Sequence, residues 1–238
     1  MGREIVIAQA IAGILVGSGT VATSQHDRPT HPAAQAALRH FESVQNADFD
    51  GLLHQLRRPA PSSTVRDIVI RNLPKEGALT PTAREAAKLA VLRPLLAFHQ
   101  REAAIETRLF TVGGQAFVGL HARTVLLISR EALDLFNPDE IVAIMAHELG
   151  HDYLWNEYET ARRDRDNHRL QELELRCDGI ALIAMKRLNV PPERLISAVT
   201  KQIRYNERIG TLNYAWYVPL DQRVRFILAA ARLTEGRR

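Results

Sequence analysis

The sequence predicts a mostly helical α+β fold with a small antiparallel sheet packed beside one central helix. The chain has 238 residues, of which 46% are apolar and 24% charged, a composition typical of a globular domain that folds around its own core. Several long segments repeat apolar residues at helical spacing. Residues 105–129 are instead rich in β-branched residues, and Gly113-Gly114 divides them where a hairpin turn would lie.

The first 25 residues differ in composition from the rest of the chain. Between Ile5 and Val16 only Gln9 is polar, Arg3 precedes this apolar stretch, and small residues follow it. The pattern predicts a cleavable export signal over residues 1–25, with an uncleaved membrane anchor or a buried helix as the alternatives. We therefore expect an exported protein of the periplasm or cell envelope, which could associate with a membrane through this segment.

Composition also separates an N-terminal arm from the main domain. Residues 26–63 are polar and contain four prolines, so we expect an arm there and a single domain over residues 64–238. The only cysteine, Cys177, excludes an intramolecular disulfide. The net charge of +4 is spread along the chain without a long block of like charge, which predicts no nucleic-acid partner.

Short-range signals predict the elements of the main domain in chain order. A short strand is expected over residues 64–73, and Thr80-Pro81 begins a helix that extends to about residue 99. Asn137-Pro138 begins the next helix, because asparagine caps a helix N-terminus and proline suits its first position. The other predicted elements are strands over residues 105–112, 115–120 and 123–129 and helices over residues 158–188, 192–208 and 219–233.

The helix that begins after Asn137 contains the most informative motif, His147-Glu148-Leu149-Gly150-His151. Residues four apart lie about 40° from each other around a helix, so the two imidazoles share one face and can bind one metal ion. Neutral imidazoles suit Zn²⁺, and Glu148 lies beside them, where it can take a proton from a water that the metal activates. A chain of this composition would contain the pattern by chance only roughly 0.02 times.

A catalytic zinc site needs a third protein ligand, and the segment after the motif offers carboxylates. Glu174 and Asp178 are four residues apart in a predicted helix and therefore share a face. We expect Glu174 to bind the metal and Asp178 to accept the distal N–H of a ligating imidazole, which would fix its tautomer. The alternative is that both carboxylates are solvated on an exposed helix face.

These residues resemble the HtpX-type and CAAX-prenyl-protease-type gluzincins, which form metallopeptidase family forty-eight. Residues 137–151 are similar to the family's helix that enters its zinc motif, and Glu174 and Asp178 fall on its Glu-x-x-Ala-Asp element, with Cys177 where alanine is usual. The likeness covers about residues 92–223. It implies a zincin-like metallopeptidase domain that holds one Zn²⁺.

The resemblance also implies a strand that binds the substrate. Gln115, Ala116 and Phe117 are similar to the family's Asn-Ala-Phe strand, whose backbone pairs with an extended peptide, although Gln115 replaces the asparagine. We therefore expect these three residues to bind substrate.

One element of the family pattern is missing. The family often has a His-Pro element several residues before an arginine, whereas here Tyr217-Val218-Pro219 precedes Arg223. Without that histidine, Tyr217 or Tyr214 would have to substitute for it. We expect Tyr217 to be a catalytic residue whose phenol donates to a developing oxyanion, with ordinary core packing as the alternative.

Together the residues predict a zinc-dependent endopeptidase that acts on a peptide or unfolded protein, with Glu148 as general base. Because the family histidine is absent, the alternative is a zinc-bearing chaperone-like or binding module of the cell envelope. A third interpretation is a zinc hydrolase of cell-wall peptides, since a fold and its metal do not determine the substrate. Beyond the first residues no span of about 18 apolar residues occurs, which excludes a multi-spanning architecture. No oligomeric state is predicted.

Overall fold

The computed structural model describes residues 28–44, 48–111, 113–211 and 217–235. The helices are α1 (Pro32–Glu42), α2 (Phe49–Leu56), α3 (Ser63–Asn72), α4 (Ala83–Leu89), α5 (Arg93–His99), α6 (Arg130–Leu135), α7 (Pro138–Asp164), α8 (Asn167–Arg187), α9 (Glu193–Arg208) and α10 (Leu220–Glu235). The strands are β1 (Ala78–Leu79), β2 (Glu106–Phe110), β3 (Val118–His121) and β4 (Val125–Ser129). The prediction of a mostly helical α+β fold is therefore confirmed.

Helix α7 lies at the centre of the fold and packs against α8, α9 and strand β3. It begins with a capping box, in which the Asn137 side chain accepts from the Glu140 N–H and the Glu140 carboxylate accepts from the Asn137 N–H. It ends where Arg165 adopts the left-handed conformation, with φ of 56°. Asp166 then caps α8 by accepting from the Arg169 N–H. Residues 158–188, predicted as one helix, are thus divided between α7 and α8.

A close approach of backbones brings α7 and α8 together. A Cβ placed on Gly150 would lie 2.8 Å from the Cα atom of Cys177, so a larger residue at this position would force the two helices apart. This contact brings the part of α7 that carries His151 close to the turn of α8 that carries Glu174 and Asp178. Gly150, which lies inside the predicted metal-binding motif, therefore has a packing role.

The small sheet is mixed, which corrects the antiparallel arrangement that the sequence predicted. Its strand order is β1-β2-β4-β3, with β2 parallel to β4 and antiparallel pairs at both edges. Every residue of β4 is buried, so this most apolar strand takes a central position, where neighbours cover both faces. The Gly113-Gly114 turn has positive φ at both residues, but it leads from β2 to the far edge of β4 and does not form a hairpin.

The expected N-terminal arm also needs correction, because α1 is part of the core. Ala33, Ala34 and Ala37 are fully buried, and α1 packs against α8 and α10. Small side chains let helices approach closely, which the polar composition of residues 26–63 did not reveal. The core therefore includes residues before position 63 as well as after it. The predicted export signal, residues 1–25, lies outside the described residues.

Two local predictions were wrong for identifiable reasons. Residues 64–73 were predicted as a strand but lie mostly within α3, whose N-terminus Ser62 caps by accepting from the Val65 N–H. The helix predicted over residues 80–99 is divided into α4, a 3₁₀ turn and α5, because Pro94 has no N–H to donate to the preceding turn. Across the described residues, no helix is long and apolar enough to span a bilayer.

Candidate metal centre

Helices α7 and α8 bring together the three residues predicted as metal ligands. One ligand atom from each of His147, His151 and Glu174 lies within 4.8 Å of the others. The Glu174 carboxylate faces both rings, with Oε2 3.4 Å from Nε2 of His147 and Oε1 3.7 Å from Nε2 of His151. Each imidazole therefore presents Nε2 to the same point.

The donor set and its spacing fit Zn²⁺. Ligands about 2.0 to 2.1 Å from a tetrahedral zinc ion are separated from each other by about 3.3 Å, close to the distances between Glu174 and the two rings. Two imidazole nitrogens and one carboxylate oxygen also match a catalytic zinc site, which keeps a fourth position for water or substrate. His147, His151 and Glu174 could thus hold one zinc ion.

The ring of His147 is fixed by a buried ion pair. Its Nδ1–H donates to Oδ1 of Asp178 over 2.8 Å, and Asp178 in turn accepts from the Nε–H and Nη2–H groups of Arg223, both at 2.7 Å. Burial raises the pKa of Asp178, but the Arg223 charge and the His147 bond outweigh it and hold that pKa below its usual value. Asp178 therefore stays ionised and leaves Nε2 of His147 free for a metal.

A thiol, not a carboxylate, faces Nδ1 of His151. Its Nδ1 atom lies 3.6 Å from Sγ of Cys177, and its ring meets that of Tyr158 edge to face, with 4.9 Å between centroids. Burial, followed by the charge of Glu174, raises the pKa of both Cys177 and Tyr158. Both groups therefore stay protonated beside His151.

Electrostatics make the cluster suited to a cation. Burial raises the pKa of Glu174, but the two imidazoles outweigh it and lower that pKa to about 2. Burial lowers the pKa of His147, yet its bonds to Asp178 and Glu174 raise it overall to about 10. Burial has the largest effect on His151 and lowers its pKa to about 4. Without a metal, the cluster thus retains a proton on His147, where a bound metal would place its own charge.

Glu148 is buried between α7 and strand β3. Its Oε2 atom accepts from the Leu120 N–H over 3.2 Å, and only 9% of the residue is exposed. Burial, reinforced by the nearby Glu174 carboxylate, raises the pKa of Glu148 to about 7. Such a carboxylate can both accept and return a proton near neutral pH.

The stretch predicted to bind substrate is largely occupied by the protein itself. The N–H and C=O groups of Ala116 are both bonded to the Asn206 side chain, and Ala116 is fully buried. The Ser129 hydroxyl donates to the Gln115 C=O and accepts from the Phe117 N–H. These backbone groups thus already have partners within the protein, and a substrate role for Gln115, Ala116 and Phe117 stays a prediction.

Tyr217 lies near the centre but outside the ligand cluster. It is 37% exposed, and burial, followed by the Glu174 charge, raises the pKa of its phenol. Its C=O group accepts a bond from the side-chain amide of Gln171 in α8 over 3.5 Å. A catalytic role for Tyr217 stays a prediction. The alternative candidate Tyr214 falls outside the described residues.

Sequence reasoning missed two residues beside the site. Tyr158 follows His151 by seven residues, which is about two helical turns, so the period of α7 could have placed it on the same face. Asn206 gave no such signal, because its contact with Ala116 joins residues 90 positions apart. Arg223 forms an ion pair with Asp178, which gives it a structural role.

Comparison with known proteins agrees with this geometry. The sequence profile of peptidase family M48, a family of zinc-dependent metallopeptidases, matches residues 92–162, which include both histidines of the motif and Glu148. No curated protein and no solved structure matches the chain. The match is to the family as a whole, and the HtpX-type subgroup stays a prediction. The segment over residues 92–162, with its two-histidine motif on α7, is thus similar to peptidase family M48.

Proposed function

We propose that this chain is a zinc-dependent endopeptidase that cleaves peptides or unfolded proteins in the periplasm or cell envelope. The observation that carries the proposal is the position of Glu148, a buried carboxylate with a pKa of about 7 directly beside the His147, His151 and Glu174 cluster. The location rests on the apolar pattern of residues 1–25. A membrane association through the same residues is part of the proposal.

Each residue of the centre has a separate task. His147, His151 and Glu174 would hold Zn²⁺, which would supply a Lewis acid that polarises the scissile carbonyl. Glu148 takes the proton of the attacking water as general base and returns it to the leaving amine as general acid. Leu120 keeps the Glu148 carboxylate oriented through its backbone N–H. The Tyr217 phenol, which keeps its proton at neutral pH, would donate to the developing oxyanion.

The substitution Glu148→Gln tests this assignment. Glutamine keeps the size of the side chain and can still accept from the Leu120 N–H, but it cannot accept a proton from water. We expect the variant to bind zinc like the wild-type protein and to lose cleavage of unfolded casein by at least about 100-fold. Glu159→Gln, an exposed change on the same helix, should leave both properties unchanged.

The assay also separates the proposal from its rivals. Wild-type protein should produce casein fragments that disappear when a chelator removes the metal. A protein that binds zinc and cleaves neither casein nor cell-wall peptides would instead be a binding module. A Glu148→Gln variant that cleaves at the wild-type rate would remove Glu148 from its role.

A further inference from the structure

One face of α7 carries two buried carboxylates, those of Glu148 and Asp152. They are four residues apart in a helix, so they lie one turn from each other on the same side. The Glu148 carboxylate accepts from the Leu120 N–H at the end of β3. The Asp152 carboxylate accepts from Arg123, which lies in the turn after β3. Successive turns of α7 thus contact β3 and the turn that follows it.

Asp152 joins two arginines from different parts of the chain. Its Oδ2 atom accepts from Nε of Arg101 over 2.7 Å, and its Oδ1 atom accepts from Nε of Arg123 over 2.6 Å. Each arginine also donates through Nη2 to the segment between α2 and α3, Arg101 to the Arg58 C=O over 2.6 Å and Arg123 to the Pro59 C=O over 2.9 Å. Such charge-assisted bonds fix the position of the Arg123 side chain at two points.

The turn between β3 and β4 has a strained backbone. The Thr124 N–H donates to the His121 C=O over 3.0 Å, which closes the turn, and its central residues Ala122 and Arg123 have φ of 49° and 59°. Asparagine and glycine are the usual residues in such turns, because other side chains are disfavoured at positive φ. A strained backbone persists where surrounding contacts hold it. The ion pair between Arg123 and Asp152 is such a contact.

This turn directly follows the residue that orients the proposed general base. Leu120 is adjacent to His121, the first residue of the turn, and its N–H lies 3.2 Å from Oε2 of Glu148. That distance is at the long end of the range for an N–H···O bond, so a small outward shift of the turn would break it. Small misplacements of a catalytic group can reduce a reaction rate strongly.

We propose that Asp152 is a positioning residue, which holds the turn after β3 through Arg123 and thereby keeps the Leu120 N–H on Glu148. This inference rests on the proposed peptidase function, in which Glu148 is the general base. In this role Asp152 affects the orientation of the base and contributes no ligand to the metal. Loss of the contact should therefore decrease kcat and leave KM and zinc affinity unchanged.

Two substitutions at Arg123 test this inference with the full, zinc-loaded chain. Arg123→Met keeps an unbranched side chain but removes the charge and both hydrogen bonds, whereas Arg123→Lys keeps a charge that Asp152 can bind. For a peptide that the wild-type protein cleaves, we expect kcat to fall about tenfold in Arg123→Met and at most about threefold in Arg123→Lys. KM and zinc content should stay within about twofold in both. A wild-type kcat in Arg123→Met, or equal losses in the two variants, would overturn the inference.

A neighbouring substitution provides the control for the turn itself. Ala122→Gly changes the same turn, relieves its left-handed backbone and leaves the ion pair in place. We expect kcat within about twofold of the wild-type value. A loss as large as that of Arg123→Met would mean that any change in the turn affects catalysis, which would contradict the role of the ion pair.

A double-mutant cycle tests whether Asp152 acts through Arg123. Asp152→Asn and the double variant with Arg123→Met should both lose about as much kcat as Arg123→Met alone, since all three remove the same contact. Losses that multiply in the double variant would overturn the inference. If Asp152→Asn does not fold, because it leaves buried arginine charge without its counterion, the two Arg123 variants still decide.

Hydrogen exchange of the Leu120 amide, followed by NMR, gives a readout that does not depend on cleavage. We expect exchange about tenfold faster in Arg123→Met and within about twofold of the wild-type rate in Ala122→Gly. An unchanged rate in Arg123→Met would overturn the inference. Faster exchange in Arg123→Met, together with a wild-type protein that shows no chelator-sensitive cleavage, would instead contradict the proposed function.

Discussion

The two histidines of the motif lie one helical turn apart, yet their surroundings differ. His147 donates to Asp178, whose charge is balanced by Arg223, and all three groups are buried. His151 instead faces the thiol of Cys177 and the ring of Tyr158, which are both neutral. One side of the centre is therefore held by an ion pair and the other by weak polar and aromatic contacts.

This difference indicates which residues limit the rigidity of the site. A carboxylate that accepts the distal N–H raises the basicity of an imidazole and fixes its tautomer, whereas a thiol sulfur is a weak acceptor. The asymmetry predicts that metal binding depends strongly on the partner of His147 and weakly on the partner of His151.

Removing the carboxylate beside His147 should have the greatest effect. Asp178→Asn leaves the Arg223 charge buried without a counterion, so we expect the free energy of unfolding to fall by about 3 to 5 kcal/mol. Zinc affinity should fall by about 10- to 100-fold, because the His147 ring loses its charged partner. Denaturant unfolding and competition with a chromophoric chelator measure the two quantities.

A second variant separates these two effects. Adding Arg223→Met to Asp178→Asn removes the uncompensated charge, so stability should largely return while zinc affinity stays low. If Asp178→Asn binds zinc as tightly as the wild-type protein, metal binding does not depend strongly on the partner of His147, which would contradict the asymmetry.

The matching change beside His151 should cost much less. Cys177→Ala removes the sulfur that faces Nδ1, and we expect zinc affinity to fall by about fivefold, the effect of one modest hydrogen bond. Cys177→Ser keeps an acceptor of similar size and should stay within about twofold of the wild-type affinity. A loss in Cys177→Ala that equals the loss in Asp178→Asn would contradict the asymmetry.

A third buried histidine shows what burial does without a carboxylate partner. Nδ1 of His99 lies 2.8 Å from the Tyr153 hydroxyl, and burial, followed by the charges of Arg57 and Arg101, lowers the pKa of His99 to about 3. In the unfolded chain this pKa is about 6.5, so the unfolded state binds more protons between these values. The contribution of neutral His99 to the free energy of unfolding is therefore complete above about pH 6.5, and it is lost as the pH falls toward 3.

Comparison with a non-titrating variant measures this contribution. Between pH 7 and pH 5, the wild-type protein should lose about 2 kcal/mol of unfolding free energy more than His99→Gln. Urea unfolding of both proteins at the two pH values gives the difference. Equal losses in the two proteins would show that folding does not change the pKa of His99, which would contradict the lowered value.

The parts of the site that sequence reasoning predicted depend on short-range spacing. His147 and His151 share a face because they are four residues apart in a helix, and the same spacing aligned Glu174 with Asp178. The resemblance to the family then implied that Glu174 binds the same metal ion as the two histidines. Capping residues such as Asn137 marked where α7 begins, since the chemistry of a helix end is local.

The parts that could not be predicted depend on contacts between distant residues. The order of the strands follows from which strand is covered on both faces, and the pattern within β4 alone does not determine its neighbours. The Asn206 bonds to Ala116 and the packing of α1 on α8 are likewise contacts across most of the chain. For this reason the sequence did not reveal that Asn206 occupies the backbone groups of Ala116.

X-ray absorption at the zinc edge, combined with elemental analysis, tests most directly whether His147, His151 and Glu174 hold one metal ion. We expect one zinc per chain, with nitrogen and oxygen neighbours at about 2.0 to 2.1 Å, and loss of the metal in Glu174→Ala. A protein without zinc, or a sulfur neighbour at about 2.3 Å from Cys177, would contradict it.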